Sequence, residues 1–182
     1  EYLKQYKAEG MPSVHHSDIY RENEKPAYRI VNSLFLQVLP ILQEIVRKKA
    51  TKVIAIDGRA ASGKTTLAGL LEKVLDAGVI HMDDFFLPPA LRTPERFSVP
   101  GNNVHYERFC EEVLPNLHKE EGFSYRRFDC SVMDYNGTRS VSGKPFRIVE
   151  GSYSLHPQLG GYADLTVFSD VDEEEQMKRI LL

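Results

Sequence analysis

Apolar positions between Pro26 and Lys49 recur at helical spacing. They are Ala27, Ile30, Val31, Leu34, Phe35, Val38, Leu42, Ile45 and Val46. This spacing puts them on one face, so the pattern predicts a helix that packs against one side of the protein. Pro40 lacks an N–H group, so we expect a kink there or a second helix that starts near it. Residues before Lys25 are polar and irregular, and we interpret residues 1–50 as an N-terminal helical extension packed on the core.

Four short apolar runs follow, separated by segments long enough to form helices. The runs are Thr51–Asp57, Val79–Met82, Phe146–Val149 and Leu165–Phe168. The first is rich in β-branched residues and bounded by glycine, which is typical of a strand buried on both faces of a parallel sheet. Helices are predicted at Leu67–Leu75, Glu107–Leu117 and Asp172–Leu182. The alternation predicts an α/β fold whose mainly parallel sheet is flanked by helices, with ligands bound at the carboxyl ends of the strands.

The composition of the chain limits the kinds of molecule and the compartment that we expect for it. The chain has 182 residues, and 23 Lys and Arg against 26 Asp and Glu give a net charge of −3. This balance lacks the basic footprint of a nucleic-acid or anionic-membrane binder, so we predict neither partner. The longest apolar stretch, Leu34–Leu42, is well short of the ~20 residues of a membrane span. With two cysteines, Cys110 and Cys130, and no secretory segment at the start, we expect reduced thiols in a cytoplasmic protein.

A glycine-rich segment follows the first predicted strand. It reads Gly58-Arg59-Ala60-Ala61-Ser62-Gly63-Lys64-Thr65-Thr66 and matches the pattern G-x-x-x-x-G-K-S/T between a strand and a helix. The two glycines let backbone N–H groups turn inward, and the helix start adds its positive end, so the segment can hold phosphates. Lys64 would reach the β- and γ-phosphates and Thr65 would bind Mg²⁺. The sequence therefore predicts a three-layer P-loop NTPase fold that binds Mg²⁺ and a nucleoside triphosphate, which we interpret as ATP.

The phosphate loop alone does not name the reaction, because switches, ATP-driven motors and small-molecule kinases share it. The chain has no Asn-Lys-x-Asp segment of the kind used by guanine-specific switches, and its length leaves little room for the coupling modules of a motor. A kinase needs an acid to orient the attacking hydroxyl, a carboxylate for the Mg²⁺ shell and arginines that neutralise charge. Candidates for all three are present.

The candidate acids stand where predicted strands end. Asp83 and Asp84 follow the second run, and Glu150 follows the third. Successive strand residues point to opposite faces, so at most one of the two aspartates should aim into the cleft. A strand-end Asp can accept the hydroxyl proton, and Glu150 can hold Mg²⁺ through a coordinated water. Each acid could instead cap a turn, and Lys178 and Arg179 taken alone fit a solvated helix face.

Taken together, five segments resemble the uridine kinase family of P-loop kinases. They are Ile56-Asp57-Gly58 through Thr66, Met82-Asp83-Asp84-Phe85-Phe86, Val149-Glu150-Gly151, Val167-Phe168-Ser169-Asp170-Val171-Asp172, and Lys178-Arg179. The resemblance covers about residues 53–182. It implies a nucleoside-monophosphate-kinase-like fold in which ATP and Mg²⁺ phosphorylate an acceptor hydroxyl.

The resemblance also implies roles for individual residues. Asp83 would be the catalytic acid/base and Glu150 a carboxylate of the Mg²⁺ shell. Arg179 would be one of the arginines that introduce a mobile lid. Lys64, whose role follows from the phosphate-loop motif itself, is the third candidate catalytic residue. We expect residues 51–182 to form the kinase core, with the lid region missing or truncated.

The acceptor segments depart from the pattern of nucleoside-phosphorylating members. Those carry an Asp beside a His-Pro pair for the ribose, whereas this chain reads Asn102-Asn103-Val104-His105-Tyr106, with valine in place of the acid. For the base they have Tyr-Asp with a histidine shortly after, whereas Phe128-Asp129-Cys130-Ser131 has no histidine before a loop expected at Asn136-Gly137. A base site without such a donor loses selectivity. Acceptor contacts are expected from Asp84, Phe86, His105, Tyr106 and Asp129.

Two classes of function remain. The leading hypothesis is an ATP-dependent, uridine-kinase-like enzyme that phosphorylates a small hydroxylated molecule, with nucleosides first and pantothenate-like or sugar-phosphate acceptors second. The rival is a non-catalytic P-loop nucleotide-binding module that regulates a partner, which the altered acceptor segment and the truncated lid allow. The oligomeric state, including a homo-oligomer, is left open.

Overall fold

The computed structural model describes residues 2–10, 17–26 and 32–181. By its internal contacts the chain divides into two units, Glu1–Ser33 and Leu34–Leu182. The first unit contains helices α1 (Tyr2–Ala8) and α2 (Asp18–Glu24). The hydroxyl of Ser17 accepts a hydrogen bond from the backbone N–H of Tyr20 at 3.2 Å and caps α2. The interpretation of residues 1–50 as one packed extension stays a prediction.

The second unit alternates strands and helices. In chain order it contains α3 (Leu39–Lys48), β1 (Val53–Gly58), α4 (Lys64–Leu75), β2 (Ala77–His81), α5 (Pro94–Phe97), α6 (Tyr106–Glu112), β3 (Phe123–Asp129), β4 (Asp134–Val141), β5 (Phe146–Glu150), β6 (Leu165–Ser169) and α7 (Glu173–Leu181). Short 3₁₀ turns lie at Ser33–Val38, Met82–Phe85, Pro89–Leu91, Leu114–Asn116 and Pro157–Leu159. All four predicted strands are present.

Helix α3 begins beside Pro40, as predicted. The proline is the second residue of the helix, where a missing N–H group costs nothing, because the first turn has no intrahelical partner for it. Ile45 of α3 and Val38 just before it pack against the sheet, so this part of the predicted helix covers one face. Residues 27–31 of the predicted Pro26–Lys49 helix lie outside the described residues.

The four predicted strands form one parallel sheet in the order β2-β5-β1-β6. Side chains alternate between two apolar clusters, since Val53 and Val149 belong to one cluster and Ile54 and Ile148 to the other. The first cluster includes residues of α6, and the second includes residues of α3 and α4. Helices therefore cover both faces, and the predicted three-layer α/β fold with a mainly parallel sheet is confirmed.

A β-hairpin was not predicted from the sequence. Strands β3 and β4 pair antiparallel, with an irregular register between Arg126 and Phe128. The prediction of a loop at Asn136-Gly137 is wrong, because both residues lie within β4. The chain turns earlier, at residues 130–133. The carboxylate of Asp129 fixes that turn by accepting the backbone N–H of Ser131 at 2.9 Å.

The helices of the described residues are short. The longest, α4, has 12 residues, whereas a membrane span requires about 20. In the described part of the chain, no helix combines the length and the apolar character needed to cross a bilayer.

Gly58 joins the sheet to the predicted phosphate loop, and its backbone tolerates no side chain. Its φ is +149°, and a Cβ atom there would lie 2.0 Å from the carbonyl oxygen of Ser169 on the neighbouring strand. We expect Gly58→Ala to lower the free energy of unfolding by about 1–3 kcal/mol for the strained backbone alone. The loss should be larger in total, because β1 and β6 would have to separate to make room for the methyl group. Urea denaturation measures this.

Gly69 provides the matched control. It lies within α4, and a Cβ atom there would meet nothing within 4 Å. Gly69→Ala should leave stability unchanged or raise it by up to about 1 kcal/mol, because alanine is the better helix former. Equal effects of the two substitutions would contradict the steric argument.

Candidate functional site

The predicted phosphate loop connects β1 to α4. Ala61 and Gly63 have φ values of +57° and +93°, and left-handed residues in such a loop are typical of backbones that aim successive N–H groups at one anion. No side chain caps α4 at Gly63, and uncapped N–H groups at a helix start are the donors that bind phosphate oxygens. The ammonium group of Lys64, which is 9% exposed, donates to the carbonyls of Gly58 at 2.9 Å and Arg59 at 2.7 Å.

The last residue of β6 and two residues of α7 support the loop from outside. The hydroxyl of Ser169 donates to the carbonyl of Ser62 at 3.0 Å. In α7, the side chain of Gln176 donates to the carbonyl of Ala60 at 2.9 Å, and that of Arg179 donates to Ala61 at 3.2 Å. The predicted Arg179 therefore lies beside the loop.

A buried carboxylate lies next to the start of α4. Glu150 ends β5 and is 4% exposed. Its Oε2 accepts the hydroxyl of Thr65 at 3.2 Å, and its Oε1 lies 2.5 Å from Nδ1 of His81. The structure thus brings together the two predicted metal-binding residues, Thr65 and Glu150.

The residues present fit Mg²⁺ bound together with a nucleotide. Among the described residues, no three His, Cys, Asp or Glu side chains form a metal-binding group. Mg²⁺ in phosphate-transfer sites uses one or two protein oxygens, and water and phosphate complete its octahedron. The Thr65 hydroxyl and the Glu150 carboxylate supply oxygens of this kind.

The Asp83-Asp84 pair lies on a 3₁₀ turn, Met82–Phe85, instead of on the end of a strand. We expected the alternation of side chains along a strand to point the two carboxylates in different directions. That reason is wrong, because β2 ends at His81, before both aspartates. The turn still separates them. Asp83 lines the cavity over the phosphate loop, whereas Asp84 is 6% exposed and points into the protein.

Asp83 belongs to two adjoining cavities. One, of about 690 Å³, is walled by the phosphate loop, Thr65, Glu150 and Arg179. The other, of about 550 Å³, extends from Asp83 to Phe86 and Phe168. The carboxylate therefore stands where a group bound at the phosphate loop and a molecule in the second cavity would meet.

The surroundings of Asp83 raise its pKa. Partial burial disfavours the charged form of this carboxyl and raises its pKa above the ordinary value, and the negative charge of Glu150 raises the pKa further. The positive charge of Lys64 acts in the opposite direction. A carboxyl with such a raised pKa in a cleft is typical of an acid/base residue.

Asp84, predicted to contact the acceptor, is held within the protein. Its Oδ2 accepts the hydroxyl of Tyr125 at 2.9 Å and Nε of Arg139 at 2.6 Å, and both partners belong to the hairpin. The guanidinium group of Arg108 donates hydrogen bonds to two backbone carbonyls, those of Asp84 and Arg126. Burial raises the pKa of Tyr125, which keeps its hydroxyl a donor to Asp84.

The other predicted acceptor residues fall in different places. Phe86 lines the second cavity. His105 is partly buried, and its backbone N–H donates to the carbonyl of Phe85 at 2.6 Å. Tyr106 is 1% exposed, and its hydroxyl donates to the carbonyl of Gly101 at 2.8 Å. Asp129 lies at the hairpin turn, so Phe86 alone among these four lines either cavity.

Several residues of the site were missed from the sequence. Asn103, Ser152, Tyr153 and Phe168 line the second cavity. Ser152, Tyr153 and Phe168 lie at or just beyond the ends of predicted strands, so the rule that ligands bind at the carboxyl ends could have found them. The carboxylate of Asp57 shapes one wall by accepting the backbone N–H groups of Tyr153 and Leu155, each at 3.0 Å.

The pKa of Asp83 predicts an unusual pH dependence of stability. Between its unfolded and its raised folded pKa, the folded state binds more protons, so the free energy of unfolding falls as pH rises through this interval. We expect Asp83→Asn to be more stable than the wild type at pH 7. The difference should shrink as pH falls and vanish well below pH ~4, where the carboxyl is protonated in both states. Urea denaturation at several pH values measures this.

Glu107 provides a control of opposite sign. Its hydrogen bonds with Arg96 lower the pKa of its carboxyl to about 2. Glu107→Gln should therefore lower stability at neutral pH, by no more than about 1 kcal/mol for so exposed a pair, and the loss should disappear in acid. A destabilised Asp83→Asn at neutral pH would contradict the interpretation of Asp83.

Comparison with solved structures supports the fold described above. No family model matches the chain, and no curated protein matches it. A solved structure named a possible uridine kinase, from Bacillus stearothermophilus, has a TM-score of 0.65 and 22% identity over 81% of this chain and 87% of its own. A provisionally named fructose transport system kinase from Silicibacter sp. TM1040 has a TM-score of 0.63 and 24% identity over 83% of this chain and 81% of its own. The chain therefore has the fold of P-loop kinases, as the sequence resemblance implied.

Proposed function

We propose that the protein is an ATP-dependent kinase that transfers the γ-phosphate to a hydroxyl group of a small molecule. The observation that carries this proposal is the position of Asp83, which lines both the cavity over the phosphate loop and the adjoining cavity. A phosphotransferase needs such an acid between donor and acceptor. A protein that only binds a nucleotide does not need the second cavity.

The phosphate half of the site would hold the nucleotide. N–H groups of residues 58–65 would bind the phosphate oxygens, and the ammonium group of Lys64 would move from the carbonyls of Gly58 and Arg59 to the β- and γ-phosphates. Thr65 and Glu150 would hold Mg²⁺. When bound, this ion supplies charge neutralisation on the phosphate oxygens.

Asp83 would act as the general base. It would accept a hydrogen bond from the acceptor hydroxyl, orient the oxygen toward the γ-phosphorus and take the proton as the new bond forms. Its raised pKa makes the carboxylate a stronger base, provided that it is ionised at the working pH. Arg179, which lies beside the loop at Ala61, would neutralise charge on the transferred group.

The acceptor would occupy the second cavity. Phe86, Tyr153 and Phe168 give this cavity aromatic walls, and Phe168 is 63% exposed. Such walls suit an acceptor with a flat or apolar body beside its hydroxyl. This favours a nucleoside, in line with the name of the Bacillus protein, over a bare sugar. Pantothenate-like and sugar-phosphate acceptors remain the second choice.

We expect Asp83→Asn to lower phosphate transfer by about 10²–10⁴-fold, because the amide cannot take the hydroxyl proton. ATP binding should stay within a few fold of the wild type, since the phosphate loop is unchanged. Transfer is measured by incubation with γ-labelled ATP and a set of nucleosides, pantothenate and sugar phosphates, followed by separation of labelled products. Binding is measured by calorimetry.

Two further variants make the experiment decisive. Lys64→Ala should weaken both ATP binding and transfer. Asp134→Asn changes an exposed aspartate of the hairpin and should alter neither. If the wild type binds ATP but labels no acceptor and releases no phosphate, the regulatory nucleotide-binding module becomes the better interpretation. Transfer by Asp83→Asn at the wild-type rate would remove Asp83 from the mechanism.

A further inference from the structure

His81 contacts the candidate metal carboxylate, and neither the phosphate-loop motif nor the family resemblance assigns it a role. It ends β2 and pairs with Glu150 in the register of the sheet. Its side chain is 26% exposed, whereas that of Glu150 is 5% exposed. Nδ1 of His81 lies 2.5 Å from Oε1 of Glu150, a short distance for a hydrogen bond between side chains.

Chemistry assigns the direction of this hydrogen bond. An ionised carboxylate can only accept hydrogen bonds, so Nδ1 carries the hydrogen and Nδ1–H donates the hydrogen bond to Oε1. The other oxygen, Oε2, accepts the Thr65 hydroxyl at 3.2 Å. The two oxygens of Glu150 thus have different partners, and only Oε2 lies beside the hydroxyl expected to bind the metal.

Because the two oxygens of Glu150 have different partners, the carboxylate does not offer both of them equally to a cation. Mg²⁺ requires a near-ideal octahedron, in which a carboxylate usually supplies one oxygen. Ca²⁺ accepts six to eight oxygen ligands and often binds both oxygens of one carboxylate. A carboxylate whose Oε1 is committed to His81 offers one oxygen, which suits Mg²⁺. Partners that hydrogen-bond to a ligating carboxylate commonly change metal affinity by about 10–100-fold.

We propose that His81 is a positioning residue for the divalent cation: it holds Glu150 so that Oε2 alone faces the metal, and it thereby favours Mg²⁺ over Ca²⁺. This inference rests on the proposed function, since it assumes that the nucleotide binds with a metal. The main chain of His81 has its own anchor, because its N–H donates to the hydroxyl of Tyr125 at 3.3 Å. A change of the side chain therefore leaves the end of β2 attached.

The test measures metal-dependent nucleotide binding and requires no phosphate transfer. The probe is a fluorescent ATP analogue, titrated with Mg²⁺ and separately with Ca²⁺. His81→Leu should weaken the apparent affinity for Mg²⁺ by about 10-fold or more and that for Ca²⁺ by clearly less, because Glu150 is then free to offer both oxygens. His81→Asn keeps an N–H donor near the position of Nδ1 and should stay within about 3-fold of the wild type for both ions.

His118→Leu is the matched control, since it makes the same substitution at an exposed histidine outside both cavities, and it should change neither affinity. An unchanged ratio of Mg²⁺ to Ca²⁺ affinity in His81→Leu would overturn the proposal. Parallel losses for both ions in His81→Leu and His81→Asn, together with a lower Tm, would mean that His81 only stabilises the fold and would also overturn it.

The result separates this inference from the proposed function. A wild type that binds the nucleotide with Mg²⁺ but labels no acceptor disproves the kinase, yet the His81 series still supports or overturns the positioning role. A wild type in which neither ion promotes nucleotide binding overturns both.

Discussion

The register at the carboxyl end of the parallel sheet is the constraint on which the site depends. His81 of β2 and Ile56 of β1 both pair with Glu150 of β5, and Gly58 pairs with Ser169 of β6. Strands β2 and β5 therefore end opposite Ile56, and β1 and β6 continue together for two more residues. This brings the phosphate loop, the carboxylate and the supporting serine to the same edge of the sheet. A slip of one residue would turn Glu150 to the opposite face, away from Thr65.

Hydrogen bonds make two buried charges near this edge tolerable. Lys64 is 9% exposed and Glu150 is 4% exposed, and charges at such depth destabilise a fold unless they are hydrogen-bonded. Two loop carbonyls accept from Lys64, while His81 and Thr65 hold Glu150. The bonds to Glu150 orient its carboxylate before any ligand arrives, whereas Lys64 would exchange its two carbonyls for phosphate oxygens. An oriented carboxylate needs little reorganisation when a cation binds beside it.

The elements that could be predicted are those whose signal is local. The β-branched run of β1, the helical spacing of α4 and the glycines of the phosphate loop each lie within a dozen residues. The hairpin was missed because its side chains do not alternate cleanly, and its Asn136-Gly137 pair, a frequent turn signal, lies within β4. The contacts of Asp84 were missed for another reason. Tyr125 and Arg139 are 41 and 55 residues away in the chain, and only the packed hairpin brings them to the carboxylate.

The phosphate loop and the second cavity are formed by different kinds of groups. This difference determines how much of the site's function can be inferred from the sequence. Phosphates would be held mainly by backbone N–H groups, so the requirement falls on glycine positions and one lysine, which form a readable motif. The second cavity, proposed to hold the acceptor, is walled by side chains such as Phe86, Asn103, Tyr153 and Phe168, which come from four separate segments. None of the four belongs to the phosphate loop, so the loop motif places no requirement on them. The motif therefore identifies the phosphate half without naming what the second cavity binds, and the ligand of that cavity has to be found from its walls and from binding and product analysis.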